Sequence, residues 1–287
     1  ALAIDVDFTG DFNTESLPFL TFKRSFNGGG VAFKYDISEK AFIRTSYERA
    51  IRIPTIREYF GNFANILQNL NLKPERRHNV NLGLNLNLVS SQNFTFNAFL
   101  RDQEDLIRVL ALGDGAVSIF INEGQVRSQG VELSTNLRPY KNLKIDFNFT
   151  YQSVAISDSD DIRDDSFIGV QIPNIPNLLF TTSASYTFEG IFKSADRLNL
   201  FWSYFYVNRF SIAFVQDIQT ANPDNIIPTQ HDHSVGVSYS GIAKGLTFSA
   251  RLNNVFDTDL FDNFRAPNPS RNIMLKIIYK LNRNIKN

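Results

Sequence analysis

Residues 79–88 read NVNLGLNLNL, a strict alternation that sets Val80, Leu82, Leu84, Leu86 and Leu88 against Asn79, Asn81, Gly83, Asn85 and Asn87. Successive side chains of a strand point to opposite faces, so this segment builds a ribbon with one greasy and one wet face. Helical spacing would scatter the same leucines around the axis. The pattern recurs at 143–152 (LKIDFNFTYQ), where Leu143, Ile145, Phe147, Phe149 and Tyr151 alternate with polar residues, and again at 246–253 and 272–281. Residues 198–207 (LNLFWSYFYV) are apolar on both sides, with Trp202, Tyr204 and Tyr206 on one of them.

About twelve segments obey this rule. Their approximate spans are 2–9, 29–37, 41–50, 78–89, 92–104, 117–138, 142–155, 175–188, 196–210, 229–240, 245–256 and 270–281. Many run to about ten residues, longer than the usual ~5–6 of globular strands and enough for a tilted strand to cross a bilayer. The connections alternate in length. Short ones fall at 38–40, 90–91, 139–141, 189–195 and 241–244, and long ones at roughly 10–28, 51–77, 105–116, 156–174, 211–228 and 257–269. A soluble sandwich has no reason to sort its loops by parity. A transmembrane barrel does, with tight periplasmic turns and long outer loops. In hydrocarbon every backbone polar group must pair internally, so a closed sheet is the β solution. The expected fold is therefore all-β, an antiparallel transmembrane β-barrel. Tyr47, Phe60, Tyr140, Tyr206, Tyr239 and Tyr279, near strand ends, are expected in interfacial belts.

Composition narrows the function classes. Lys plus Arg and Asp plus Glu both number 29 in 287 residues, which removes the electrostatic basis for nucleic-acid binding. Cysteine is absent, excluding disulfides and Cys-based metal or redox sites. No run of eighteen apolar residues occurs, which excludes a transmembrane helix. The opening ALAIDVDFTG has no leader features and reads as strand, so the chain is expected to be a mature or truncated piece.

Several blocks resemble the barrel of TonB-dependent outer-membrane receptors. In SYERAIRIPTIREYF, Arg52, Pro54, Glu58 and Phe60 match that family's Arg-x-Pro-x-x-x-Glu-hydrophobic-Phe pattern. Leu72, Lys73, Pro74 and Glu75 match its Leu-Lys-Pro-Glu, followed by a strand with Gly83. NEGQVRSQGVEL, with Gly130 and Glu132, then IPNIPNLLFTTSASY, then NNVFD, with Asn254 and Phe256, and a last strand opening at Arg271 follow in the family's order. Together they cover about residues 30–281. The family has a plug domain, a TonB-contacting box and a barrel of about 22 strands. The resemblance implies that residues 1–287 form the C-terminal part of such a barrel, without the plug. It implies import of a scarce ligand (ferric siderophore, haem, cobalamin or oligosaccharide) into the periplasm with TonB-coupled energy. The implied partners are the TonB complex, outer-membrane lipid with lipopolysaccharide, and a surface lipoprotein; no cofactor is implied beyond metal in the cargo. A passive porin, or an outer-membrane protein whose loops hold a surface partner, is the alternative.

The candidate ligand-binding residues are Arg52, Arg57, Tyr59, Phe60, His231 and His233. Arg52, Arg57 and Glu58, with Arg49 nearby, open a long outer loop. There they either recognise an anion by bidentate guanidinium contacts or fix the rim as an ion-pair cluster, the weightier reading. His231 and His233 share a strand face and can approach one metal or haem iron, with Asp232 turned away, although no third ligand is evident. Tyr59, Phe60, Phe63, Phe261 and Phe264 put aromatics in outer loops, where they stack on sugar rings or catecholates, or on one another. The acidic run 157–166 lacks the glycine of an EF-hand turn and reads as a solvated loop. No nucleophile–base spacing argues for an enzyme.

Overall fold

A computed structural model describes residues 2–9, 21–62, 64–89, 92–112, 117–158, 168–262 and 266–280. Twelve long strands follow one another as antiparallel neighbours in a single sheet. They are β1 (Leu2–Thr9), β2 (Thr21–Ser38), β3 (Ala41–Arg52), β5 (Glu75–Val89), β6 (Gln92–Leu112), β7 (Val117–Tyr140), β8 (Leu143–Asp158), β9 (Leu178–Glu189), β10 (Arg197–Val207), β13 (Gln230–Ser240), β14 (Leu246–Asn253) and β15 (Asn272–Tyr279). Three short strands decorate the long-loop end: β4 (Ile66–Leu67) pairs with β7, and β11 (Phe210–Ser211) pairs with β12 (Ile226–Ile227). Among the described residues β1 and β15 are the sheet's edges. The one α-helix described is α1 (Ile56–Phe60), and no helix is long and apolar enough to cross a membrane.

Register turns the alternation of single strands into continuous rows. Tyr35, Ile43, Leu84, Phe96, Leu133, Phe149, Phe180 and Tyr206 are successive cross-strand partners, so a greasy row runs unbroken from β2 to β10. The neighbouring row is Lys34, Arg44, Gly83, Asn97, Glu132 and Thr150. One face is thus apolar yet exposed to its surroundings: Phe33 is 66% and Leu275 76% exposed. A water-soluble protein buries such a face, whereas a membrane barrel presents it to hydrocarbon. The other face carries amides, hydroxyls and charges, as does the lumen side of a barrel.

The lumen face also holds phenylalanines, each seated beside a glycine or a cation. Phe99 lies under the Arg101 guanidinium, 4.4 Å from its ring centre, and a Cβ on Gly130 would come within 2.8 Å of the Phe99 ring. Phe201 lies under Arg251 at 5.7 Å, over the space left by Gly236. Lys34 sits 4.6 Å above Phe42. These rings cover backbone that the missing side chains leave bare.

Two expectations need correction. The long outer loop expected at 105–116 is largely strand, because β6 and β7 stay paired out to Leu112 opposite Val117. Asp105, with φ of 55°, interrupts the pairing for one residue without shifting the register, and the ladder continues beyond it. Phe60 does not end a strand at the membrane interface; it is the last residue of α1 in the loop beyond β3.

Candidate functional site

The rim after β3 is organised by one guanidinium. Arg52 Nε donates to Glu75 Oε2 at 2.7 Å, and its Nη1 donates to both Glu58 oxygens at 3.0 Å. Glu75 is almost fully buried and also accepts from Gln103 Nε2 at 3.0 Å and from the Ile107 amide at 2.9 Å. Glu58 closes a capping box with Thr55, accepting the Thr55 amide at 2.6 Å while the Thr55 hydroxyl receives the Glu58 amide at 3.3 Å. Burial pushes the Glu58 carboxyl up, but the Thr55 amide and Arg52 outweigh it and hold it below the usual carboxylate range. The cluster clamps the loop helix to three strands. Pro54 and Leu72 are fully buried behind it, and the Tyr59 hydroxyl donates to the Leu72 carbonyl at 3.5 Å.

The Leu72-to-Glu75 segment is fixed in the same way. Arg76 donates to Asp105 at 2.8 Å, Lys73 lies 3.5 Å from the same carboxylate, and Asn122 Nδ2 donates to the carbonyls of Lys73 and Asp105. Pro74 is buried beneath them. Of the proposed rim residues Arg57 alone is exposed without an ion pair among the described residues. Glu132 accepts from Asn97 in the lumen at 3.1 Å, and Arg271 holds Asp257 through its amide at 2.7 Å. Asn254, with φ of 49°, closes the turn after β14 by binding both the amide and the carbonyl of Thr258. Phe63, Phe264 and Asp160, Asp161, Asp164 and Asp165 lie outside the described residues.

His231 and His233 stand on the apolar outer face, opposite Tyr206 and Tyr204. The Trp202 indole N–H donates to His233 Nδ1 at 3.3 Å, and the Tyr204 hydroxyl is 2.7 Å from His231 Nδ1. Rings of Phe180, Tyr206, Tyr204, Trp202 and Phe256 continue the ladder. The third histidine, His78, occupies the same face with Tyr47 at 2.8 Å. These amphipathic rings gather at the long-loop end of the greasy face, where an interfacial girdle belongs. No trio of metal-ligating side chains converges among the described residues.

The residue between the two histidines faces the other way. Asp232 enters a cavity of about 600 Å³ on the lumen side, bounded by the upper ends of β9, β10, β13 and β14 and by the loops above them. Phe205, Leu260 and Phe261 form an apolar wall, and Asn174, Ser234 and Arg251 lie among the polar lining. Val207, Phe210 and Ile227 pack into a small core beside it, which holds the β11–β12 loop in place. Gln230, also buried, accepts the Phe261 amide at 2.6 Å and anchors the loop before β15. On three residues of its lining, Asp232 Oδ1, Ser234 Oγ and Asn174 Oδ1 lie buried beneath the surface without a hydrogen-bond partner. Alternation alone put Asp232 opposite the histidines; its meeting with Asn174 and Arg251 depends on register and loop paths that no single segment encodes.

A family profile described as "TonB dependent receptor-like, beta-barrel" matches residues 5–255. No curated protein sequence matches the chain. Among solved structures, the copper transporter OprC aligns over 90% of this chain and 40% of its own, at 17% identity and a TM-score of 0.70. The FrpB iron transporter from Neisseria meningitidis aligns over 91% and 40%, at 18% identity and a TM-score of 0.69. BauA, the ferric preacinetobactin receptor from Acinetobacter baumannii, aligns over 93% and 38%, at 18% identity and a TM-score of 0.67. The chain thus spans about 40% of the length of these structures. It belongs to the TonB-dependent receptor β-barrel family, whose members are outer-membrane receptors rather than enzymes.

Proposed function

We propose that this member of the family forms part of an active importer, its long-loop end receiving a scarce extracellular ligand and its lumen passing that ligand to the periplasm with TonB-coupled energy. The observation that carries the reading is the cavity at the outer mouth of the lumen, walled by strand ends and lidded by the loops before β13 and β15. The rim clamp around Arg52 supports the same reading, since it holds the loop beyond β3 against the sheet. The TonB complex and the surrounding lipid and lipopolysaccharide are the partners this function requires. A ferric siderophore, haem, cobalamin or oligosaccharide is the class of cargo, any metal being cargo rather than a resident group.

The test is uptake in cells carrying the native protein, with radiolabelled ligand, before and after a protonophore collapses the inner-membrane gradient. Accumulation that stops with the gradient supports coupled import. Entry at an unchanged rate identifies a passive channel and rejects the proposal.

A further inference from the structure

We infer that the greasy side of β3, β5 and β7, at its long-loop end, holds the phosphorylated headgroup of lipopolysaccharide, with Arg49 and Arg127 each taking one phosphate of its diglucosamine. The inference deepens the reading of lipopolysaccharide as a partner. It rests on that reading for the apolar face meeting lipid and the long-loop end lying outside, and on nothing about the cargo. Its first support is position. Tyr47, Val80 and Leu100 are cross-strand partners that close the greasy band at its long-loop end, and all three are exposed. The next row on the same face is Arg49, His78, Asp102 and Arg127. Two residues along a strand advance roughly 7 Å, so this row stands where acyl chains give way to headgroups.

Charge is the second support. By register, β8, β9, β10, β13, β14 and β15 set no Lys or Arg on this face among the described residues. By the same register, β3, β5 and β7 set Arg49, Arg76 and Arg127 there. The cations are thus gathered on one stretch of the sheet rather than spread as a solvated fringe. Arg127 Nε donates to Asp102 Oδ1 at 2.7 Å and Arg76 to Asp105 at 2.8 Å, which orients two guanidinium groups that stay about half exposed. Arg49 differs. Gly29 and His78 flank it in register, and no carboxylate pairs with it among the described residues. It is a half-buried cation still short of its anion. Span is the third support. Arg49 and Arg127 lie three strand spacings apart, roughly 14 Å, comparable to the separation of phosphates at the two ends of a disaccharide. A guanidinium meets each phosphate with paired N–H donors. Phosphatidylglycerol has one phosphate and cannot reach both arginines. A free phosphate has no acyl chain to lie along Tyr47, Val80 and Leu100.

The experiment is native mass spectrometry of the purified native protein, released from a zwitterionic detergent after titration with bisphosphorylated lipid A. The same lipid with both phosphates removed, phosphatidylglycerol and inorganic phosphate are the comparisons. Lipid A should be held about 10-fold or more tightly than its dephosphorylated form or phosphatidylglycerol. Arg49→Gln and Arg127→Gln should each weaken it about 10-fold, the loss of one charge-assisted phosphate contact. Arg197→Gln, at the short-turn end, should leave it unchanged. Both rim variants should keep the SDS-resistant compact form, because Arg49 has no ion pair to lose and the exposed Arg127–Asp102 pair contributes little. Equal retention of the dephosphorylated lipid overturns the inference, as does unchanged affinity in the two variants. Displacement of lipid A by equimolar inorganic phosphate overturns it in favour of a free-anion site, and equal binding of phosphatidylglycerol in favour of unselective headgroup contact. Binding and uptake fail separately. Gradient-independent entry rejects coupled import and leaves the lipid site standing. Coupled uptake with lipid A indifferent to both arginines does the reverse.

Discussion

The Tyr239 hydroxyl donates to Asp196 Oδ2 at 2.7 Å, joining strand β13 to the turn that connects β9 and β10. The same carboxylate accepts the amides of Ile191 and Phe192 at 2.8 Å and of Lys193 at 3.1 Å. One buried aspartate therefore satisfies a whole periplasmic turn and anchors it to the next hairpin. Asp196→Ala is expected to lower the temperature at which the protein loses its SDS-resistant compact form, because three amides and a phenol lose their acceptor together. Tyr239→Phe should lower it less, since the amide bonds survive. Heat-modifiability on gels reads both.

Acid should weaken the same turn. Burial pushes the Asp196 carboxyl up, but Tyr239 and the three amides outweigh it and hold the group below the usual carboxylate range. Glu58 at the opposite rim is shifted the same way. A depressed folded-state pKa contributes stability above the unfolded value, and the contribution is lost as pH falls through the folded one. The thermal midpoint should hold steady from neutrality down to the ordinary carboxylate range and decline below it. In Asp196→Asn that decline should be shallower, which a pH series of melting curves measures.

The assignment of faces gives opposite outcomes for adjacent residues. Leu82 lies in the greasy row and Asn81 in the lumen row. Leu82→Arg should cost about 2–4 kcal/mol for a charge near the bilayer midplane, whereas Asn81→Arg should cost little. Urea unfolding from lipid vesicles compares them. Equal costs would show that the apolar row does not meet hydrocarbon.

Gly236 gives its space to Phe201, whose ring occupies the position a Cβ would need. Gly236→Ala should destabilise the protein by roughly 1–3 kcal/mol through overpacking. Pairing it with Phe201→Leu should recover part of the loss, measured by the same unfolding assay.

Arg52 faces two carboxylates, one of them almost fully buried. Arg52→Ala leaves Glu75 with only Gln103 and the Ile107 amide, and should cost about 1–3 kcal/mol. Arg52→Lys should recover little, because one ammonium cannot bridge Glu58 and Glu75 in the forked geometry of a guanidinium. Limited proteolysis in the loop after β3 should accelerate in both variants.

Much of this architecture was legible in the chain itself. The period-two rule located all twelve long strands, because a face that meets hydrocarbon tolerates no polar interruption and so writes a clean pattern. It underestimated β2, β5, β6 and β8 at their long-loop ends, where the constraint on alternation lapses. The rim motif from Arg52 to Glu75 was visible as residues, but its division of labour was not: the burial of Glu75 depends on Gln103 and Ile107, about thirty positions away. The outer-mouth cavity stayed hidden for the same reason. His231 and His233 drew notice because histidines are rare in this chain, while Asp232, which enters the recess, was one of many acids.

The β6–β7 hairpin carries a last consequence. β6 runs for 21 residues, roughly 70 Å of extended chain, against an apolar band of about 25 Å. Its greasy positions stop near Leu100, so the stretch from Asp102 to Leu112 continues past the apolar band as a paired arm interrupted only at Asp105. An arm that extends this far past the apolar band is a natural place to graft an epitope.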